Sequence, residues 1–442
     1  MESEEATVAG SVEQAPSDRR VLASAFASVL AWSFDLYDLF LLLYVAPVIA
    51  PLFFPSHIPT LSLAATYASF AVTLLMRPVG SAAFGAFADR RGRKRAMVAA
   101  VCGVGIATTL LGLVPTVGAI GLGAPIVFLA IRLLQGFFVG GVVASTHTLA
   151  TETVSPRLRG VVSGLVGAGG AGLGSIAASV AFFAVSALAP GSAFGAWGWR
   201  VMFFTGLISA AVSLFVFARV EESPIWAQQE ARQRLQRAPL RTLLSGRRLS
   251  VLLVNLLLVA PAGTAYYLTS GYLPTFLKVV NGVTPVAAGV MLIVSSLAIV
   301  IAGLVGGQLS QVIGRKRTFL VLGVVDLLAL APVYLWLGGL RPAGGLLPIA
   351  IAVILLGFLG SALYAPILVF LNERFATPIR ATGTALSWNV GFAIGGMMPT
   401  FVTLASPRLA DITGRLVIFL VVAVLVYIAG ALLVPETRGQ LE

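Results

Sequence analysis

The chain has 442 residues, of which 58% are hydrophobic and only 10% charged. A soluble domain carries about 25% charged residues, so the apolar excess here must face lipid, and a water-soluble enzyme is excluded. The net charge of +12, from 26 Arg and 3 Lys against 17 acids, does not mark a nucleic-acid binder, because the basic residues fall in short clusters between apolar runs.

Spanning a bilayer takes about 20 apolar residues in a helix. Twelve runs meet this, at roughly 21–50, 61–87, 96–115, 121–150, 161–188, 199–219, 249–278, 284–312, 318–338, 346–372, 381–405 and 413–434. Residues 1–20 read as a disordered N-terminus: 1–18 are acidic and polar, and Arg19 and Arg20 precede the first run. No cleavable signal is expected there. The even number of spans puts both termini on one side.

Charge fixes which side. One set of ends and loops holds Arg19/Arg20, Arg90 through Arg95, Arg157/Arg159, Arg219 through Arg248, Arg315/Lys316/Arg317, Arg374/Arg380 and Arg438. The other holds only Arg200, Lys278, Arg341, Arg408 and Arg415. Loops rich in Arg and Lys stay in the cytoplasm, so both termini are expected inside the cell's inner membrane. Residues 221–248 form a cytoplasmic linker whose six arginines from Arg232 to Arg248 are expected to meet lipid phosphates. It separates a six-helix bundle at 21–220 from another at 249–435, and 436–442 form a cytoplasmic tail.

The halves repeat. Gly85-x3-Asp89-Arg90-x-Gly92-Arg93-Lys94-Arg95 recurs as Gly307-x3-Gln311-x2-Gly314-Arg315-Lys316-Arg317, and Glu152-x6-Arg159 recurs as Glu373-x6-Arg380. A duplicated six-span unit implies two bundles with a site between them near the midplane. The expected fold is therefore all-α and polytopic, with twelve transmembrane helices in two bundles related by a pseudo-two-fold axis.

GAFADRRGRKR (85–95) resembles the signature loop of the major facilitator superfamily. Within it the chain is similar to metabolite:proton symporters, through Asp35-Leu-Tyr-Asp38, MRPVG (76–80), RLLQG (132–136), GYLPTFL (271–277), RATGTALSWN (380–389) and PETRG (435–439). Sialate- and aromatic-acid:proton symporters share part of this pattern. The resemblance implies a secondary transporter, a monomer, that moves a small organic anion or zwitterion with protons and needs no other cofactor. One departure stands out: where the family carries Gly-Gly-Glu in span 4, this chain has Gly140-Gly141-Val142.

Asp35 and Asp38 lie about 14 and 17 residues into span 1, near the membrane middle. Spaced i,i+3, they are expected on one helix face. A carboxyl group withdrawn from water, beside a second one, can carry a proton and release it when the cavity opens to the other side. Permanent helix bridging is the plainer alternative for one of them. Spans 1 and 4 face each other in the resembled superfamily, which makes Arg132 the expected partner of Asp35 or Asp38. Arg132 has no counterpart in the second half, where Val353 stands, and its guanidinium could instead grip a carboxylate. Arg77, about 18 Å below the basic loop, needs an anionic partner as well.

Second-half pocket candidates are Tyr266, Tyr267, Tyr364, Trp388 and Asn389, which could hydrogen-bond or line a cavity. Asp89, Arg93, Glu152, Arg159, Gln311, Glu373 and Arg380 form the expected gating set, with Asp89 pairing to Arg93 or Arg159 and Gln311 keeping a hydrogen bond without the charge. Asp326 in span 9 reads as a helix contact. His147 could relay a proton, but with only His57 besides it no metal site can be built. The lone Cys102 excludes an internal disulfide. No catalytic set and no ATP motif is present, so enzymatic chemistry is not expected. The Gly-Pro signature of drug antiporters is missing from glycine-rich span 5, which weighs against a proton-driven exporter.

Overall fold

A computed structural model describes residues 18–91, 93–152, 157–219, 246–376 and 379–440. At 85, 86, 88–91, 93–97 and 141–152, among others, only the backbone is described. The expected N-terminus 1–20 and linker 221–248 lie outside the described residues except for the last three of each.

Backbone polar groups find no partner in hydrocarbon, so each apolar run closes its hydrogen bonds within itself as a helix. Spans 1 to 4 are Asp18–Phe53, Pro59–Arg91, Arg93–Leu113 and Gly123–Glu152. Span 5 is Arg159–Leu188, with a wide π-type turn at Leu165–Gly169. Span 6 comes in three pieces, Phe194–Gly198, Trp199–Phe204 and Gly206–Arg219. Span 7 is broken too, into Gly246–Tyr266, Tyr267–Gly271, Leu273–Phe276 and Leu277–Asn281. Spans 8 and 9 are the unbroken helices Pro285–Ile313 and Arg315–Gly339. Span 10 divides into Leu347–Ala362 and Ile367–Arg374, with Pro366 at the break. Spans 11 and 12 are Arg380–Leu404 and Ile412–Leu433.

Among the described residues, nine helices are long and apolar enough to cross a membrane. The other three expected crossings are spans 3, 6 and 11. Span 11 falls short for a chemical reason. Thr384, Ser387, Asn389, Thr400 and Thr403 on it are all buried in the protein, so its polar face meets other helices, while Ile394, Phe401 and Leu404 are exposed. Leu122, Leu188, Leu328 and Leu347, each more than 70% exposed, show the opposite pattern on the lipid-facing surface.

The two halves meet along spans 5 and 8. A Cβ at Gly164 would stand 2.1 Å from the Gly303 carbonyl oxygen, and one at Gly307 would stand 2.4 Å from that of Gly160. Only residues without a side chain let these backbones approach so closely. Further along the same seam Ser175 and Ser296 share a hydrogen bond of 2.7 Å, and Tyr44 of span 1 reaches Ser175 and Ser179. Gly160, Gly164 and Gly172 of span 5 thus pack across the halves, while Gly170 and Gly174 pack on span 1 of the same half.

Candidate functional site

Asp35, Asp38, Arg77 and Arg132 are all at most 5% exposed, deep within the first half. Asp35 pairs with Arg77: its two carboxylate oxygens lie 3.3 and 3.2 Å from Arg77 Nη2. Of the two partners expected for Arg132, Asp35 or Asp38, the first is thus held by Arg77. Arg132 Nε donates to the Ser69 carbonyl and Thr73 Oγ1 donates to the Arg132 carbonyl, at 3.4 and 3.3 Å. Ser69 and Thr73 precede Arg77 by eight and four residues on span 2, which places Arg132 about 6–12 Å further along that helix. Asp38 lies one turn beyond Asp35 in the same direction, and its charge is the one that acts favourably on Arg132.

The two acids do not share one role. Asp35 faces Arg77 and is close enough to Tyr266 and Tyr267 of the second half to act on them electrostatically. Asp38 turns into the first half, where its Oδ1 lies 3.4 Å from the place a Cβ of Gly206 would occupy, beside Thr108. A spacing of three residues leaves about 60° between side chains, enough to split them.

Opposite Asp35 and Arg77 stands an aromatic wall. Tyr266 meets Tyr267 at 5.2 Å and Tyr364 at 5.1 Å between ring centroids, and Trp388 stacks on Phe392 at 4.2 Å. Tyr364 sits in the break of span 10, which carries it to the wall. Several polar atoms here have no hydrogen-bond partner among the described residues: Arg77 Nε, Arg132 Nη2, Tyr266 Oη and Asn389 Oδ1. Buried groups in this state call for a partner from outside the fold. Of the expected pocket residues, Tyr266, Tyr267, Tyr364 and Trp388 are joined by ring contacts, and Arg132 reaches Tyr267 through the ring of Phe70.

Aromatic contacts close this place on two sides. Trp32 meets Trp388 edge to face at 5.9 Å across the halves and donates from its indole to the Gly167 carbonyl. Tyr67 stacks on Tyr272 at 5.1 Å and donates to Thr275, while Tyr272 shares a hydrogen bond with Thr403. Neither pair was legible in the sequence, because each joins residues from different halves with no local spacing to mark them. Asp326 is buried between spans 9 and 12, where its charge acts on Tyr427, in keeping with a helix contact.

At the basic end, Glu373 receives both Arg315 Nε and Nη2, at 3.0 and 2.9 Å. Arg315, absent from the expected gating set, is therefore the cation of this latch. Gln311 Oε1 accepts from the same guanidinium at 3.2 Å and lies beside Gly160, at the start of span 5. Arg380 Nε donates to the carbonyls of Asn372 and Phe375, capping the end of span 10. The side chains of Asp89, Arg93, Glu152, Val142 and His147 lie outside the described residues.

The tail completes this latch. Thr437 Oγ1 donates to Glu373 at 2.8 Å, and Glu436 accepts the backbone N–H groups of Arg315, Lys316, Thr437 and Arg438. Gly314, at φ 94°, makes the turn that lets Glu436 reach the start of span 9. Partial burial pushes the Glu436 carboxyl up, but those four donors outweigh it and hold it below the usual carboxylate range. Its stabilisation is thus complete above about pH 4.3 and is lost only as pH falls through the lower folded value. Glu436→Gln should cost about 0.3–1 kcal/mol at pH 7, as for a charge removed from a helix N-terminus. Thermal unfolding checks this: wild type should hold its midpoint from pH 8 to 5, and equal midpoints for the variant would refute the role.

A family profile for the Major Facilitator Superfamily matches residues 21–398. The chain is 30% identical to a citrate-proton symporter of Klebsiella pneumoniae over 376 residues, covering 83% of this chain and 81% of that protein. It is 28% identical to a proline/betaine transporter of Salmonella typhimurium over 427 residues, covering 93% and 82%. Among solved structures, the crystal structure of a D-xylose-proton symporter superposes with a TM-score of 0.69 at 18% identity, covering 95% of this chain and 99% of that one. The fold is the one that this solved structure shows. The chain belongs to the Major Facilitator Superfamily and is a membrane transporter, not an enzyme.

Proposed function

We propose that the protein is a proton-coupled symporter that carries a small organic anion, a mono- or dicarboxylate, into the cell by alternating access. It acts as a monomer in the inner membrane with both termini in the cytoplasm, and protons are its only coupling partner. The observation that carries this reading is the buried Asp35–Arg77 pair beside Arg132, whose Nη2 has no partner among the described residues. Protonation of Asp35 would release Arg77, and a substrate carboxylate could then take both guanidinium groups. The similarity to a citrate-proton symporter supports the same chemistry. Arg219 to Arg248, with the other basic loops, supports the orientation.

A second reading is favoured by one observation. Tyr266, Tyr364, Trp388 and Phe392 form a ring cluster whose contacting centroids lie 4.2 to 6.3 Å apart, and the open face of such a ring attracts an ammonium group. A betaine-like zwitterion would place its carboxylate at Arg132 and its cation at this wall, in line with the proline/betaine relative. A proton-driven exporter of drugs or metabolites has less support, since span 5 lacks that group's Gly-Pro signature.

The test uses purified protein in liposomes and a panel of carboxylates and betaines. Uptake of the bound compound should rise at least tenfold under an inward proton gradient. Asp35→Asn should abolish accumulation while leaving counterflow intact; undiminished accumulation by this variant would sink the coupling role. Uptake driven only by an outward proton gradient would establish exchange instead.

A further inference from the structure

We infer that Gln135 is a positioning residue: it aims Arg132 at the anionic group of the substrate and ties that arginine to the Asp38 side of the bundle. This rests on the anion reading above and names the group that makes Arg132 available to a ligand.

Gln135 lies one turn after Arg132 on span 4, on the same helix face. Its Oε1 accepts from Arg132 Nη1, and its Nε2 donates to Thr108 Oγ1 on span 3 at 2.7 Å. All three side chains are at most 1% exposed. A guanidinium has no acceptor, so the amide can face Arg132 only with its oxygen, and the nitrogen must turn to Thr108. Thr108 packs at Gly206 together with Asp38. The amide therefore joins the arginine to the neighbourhood of the second acid without spending its charge.

On its other sides Arg132 is held by the Ser69 carbonyl and by the ring of Phe70, 5.9 Å from the guanidinium carbon. Phe70 in turn meets Tyr267 of the second half at 5.3 Å. Two of the three nitrogens are thus fixed within the first half, and Nη2 is the one left for a ligand. A neutral partner is what this requires. A carboxylate at position 135 would take two N–H groups and cancel the charge.

The duplication supplies an independent argument. Arg132-x2-Gln135-Gly136 in span 4 corresponds to Val353-x2-Leu356-Gly357 in span 10. Both glycines are kept because a Cβ at either would collide with a neighbouring helix, 2.2 Å from the Thr73 carbonyl oxygen and 2.3 Å from Ser295 Oγ. Packing explains the glycine in both halves. It does not explain the polar pair, which occurs as a unit in the first half and is apolar as a unit in the second.

The test begins with the mono- or dicarboxylate that gives the largest thermal shift with wild-type protein, whose affinity and uptake are then measured on variants. Gln135→Glu should weaken binding at least tenfold at pH 7.5, with recovery as pH is lowered and the introduced carboxyl takes up a proton. Gln135→Leu should weaken binding without any such recovery, and Thr108→Val should do so by about threefold, because it frees only the far end of the amide. The maximal uptake rate at saturating substrate should change less than the KM in each case. Unfolding midpoints of the ligand-free variants separate binding from folding. Equal affinity in wild type and in both Gln135 variants would overturn the inference alone. A wild type that binds no carboxylate would overturn the anion reading, and this inference with it.

Discussion

Arg77→Met, made alone, should destabilise the protein by about 3–5 kcal/mol and abolish uptake, because it leaves the Asp35 carboxylate buried without its cation. Asp35 is 5% exposed and Arg77 3%, so neither can turn to water for compensation. The double variant Asp35→Asn/Arg77→Met should regain most of the lost stability, since removing both charges also removes the penalty of burying them. It should not regain gradient-driven accumulation. The two measurements, unfolding in detergent and uptake in liposomes, therefore separate what the pair does for the fold from what it does for the cycle. A single variant that loses less than about 1 kcal/mol, the range of exposed pairs, would show that Asp35 is held by something other than Arg77.

The second large effect is steric. Gly164→Val would drive a side chain into the Gly303 carbonyl, 2.1 Å from the new Cβ, and force spans 5 and 8 apart. Overpacking of this kind costs about 1–3 kcal/mol, and here the strain is relieved by parting the halves, not by refolding either one. Uptake should fall at least tenfold. Gly174→Val is the matched control, since its Cβ would collide with the Ser33 carbonyl at 2.3 Å, inside the first half. In a Cys102→Ser background, a thiol introduced as Ala168→Cys beside the Gly164–Gly303 contact should react faster in the Gly164→Val protein and not in the control. Equal labelling of the two would show that this seam does not move.

Much of the fold was legible because lipid imposes a simple rule. An apolar run of sufficient length must be a helix, and twelve such runs fix the class before any contact is known. The repeat told more, since two motifs at nearly one offset gave the two halves and placed a site between them. The residues of that site were legible from cost: charged groups such as Asp35, Arg77 and Arg132 are rarely carried into lipid depth without use.

Pairing was less legible. Whether Asp35 meets Arg77 or Arg132 depends on how far spans 2 and 4 slide along each other, and neither sequence carries that displacement. Splitting of Asp35 from Asp38 turns on a rotation of about 60°, well within the tolerance of a helical wheel. The latch at the basic end shows the same limit from another side. Glu373 stands seven residues before Arg380 in the motif, yet its cation is Arg315, which span 8 and its Gly314 turn deliver from elsewhere. Spacing along one helix predicts neighbours on that helix, and says little about which helix will arrive opposite.

The polar character of span 11 has a consequence for how the protein is made. A segment carrying Ser387, Asn389 and the threonines around them gains too little from hydrocarbon to leave the translocon alone. Gly395 of this span packs against Gly263 and Thr264 of span 7, and Gly396 against Leu74 of span 2, so its partners are synthesised before it. Span 11 must therefore enter the bilayer against segments already waiting there. The buried polar groups of this span thus make the assembly of the transporter an ordered event, late in synthesis and dependent on both halves.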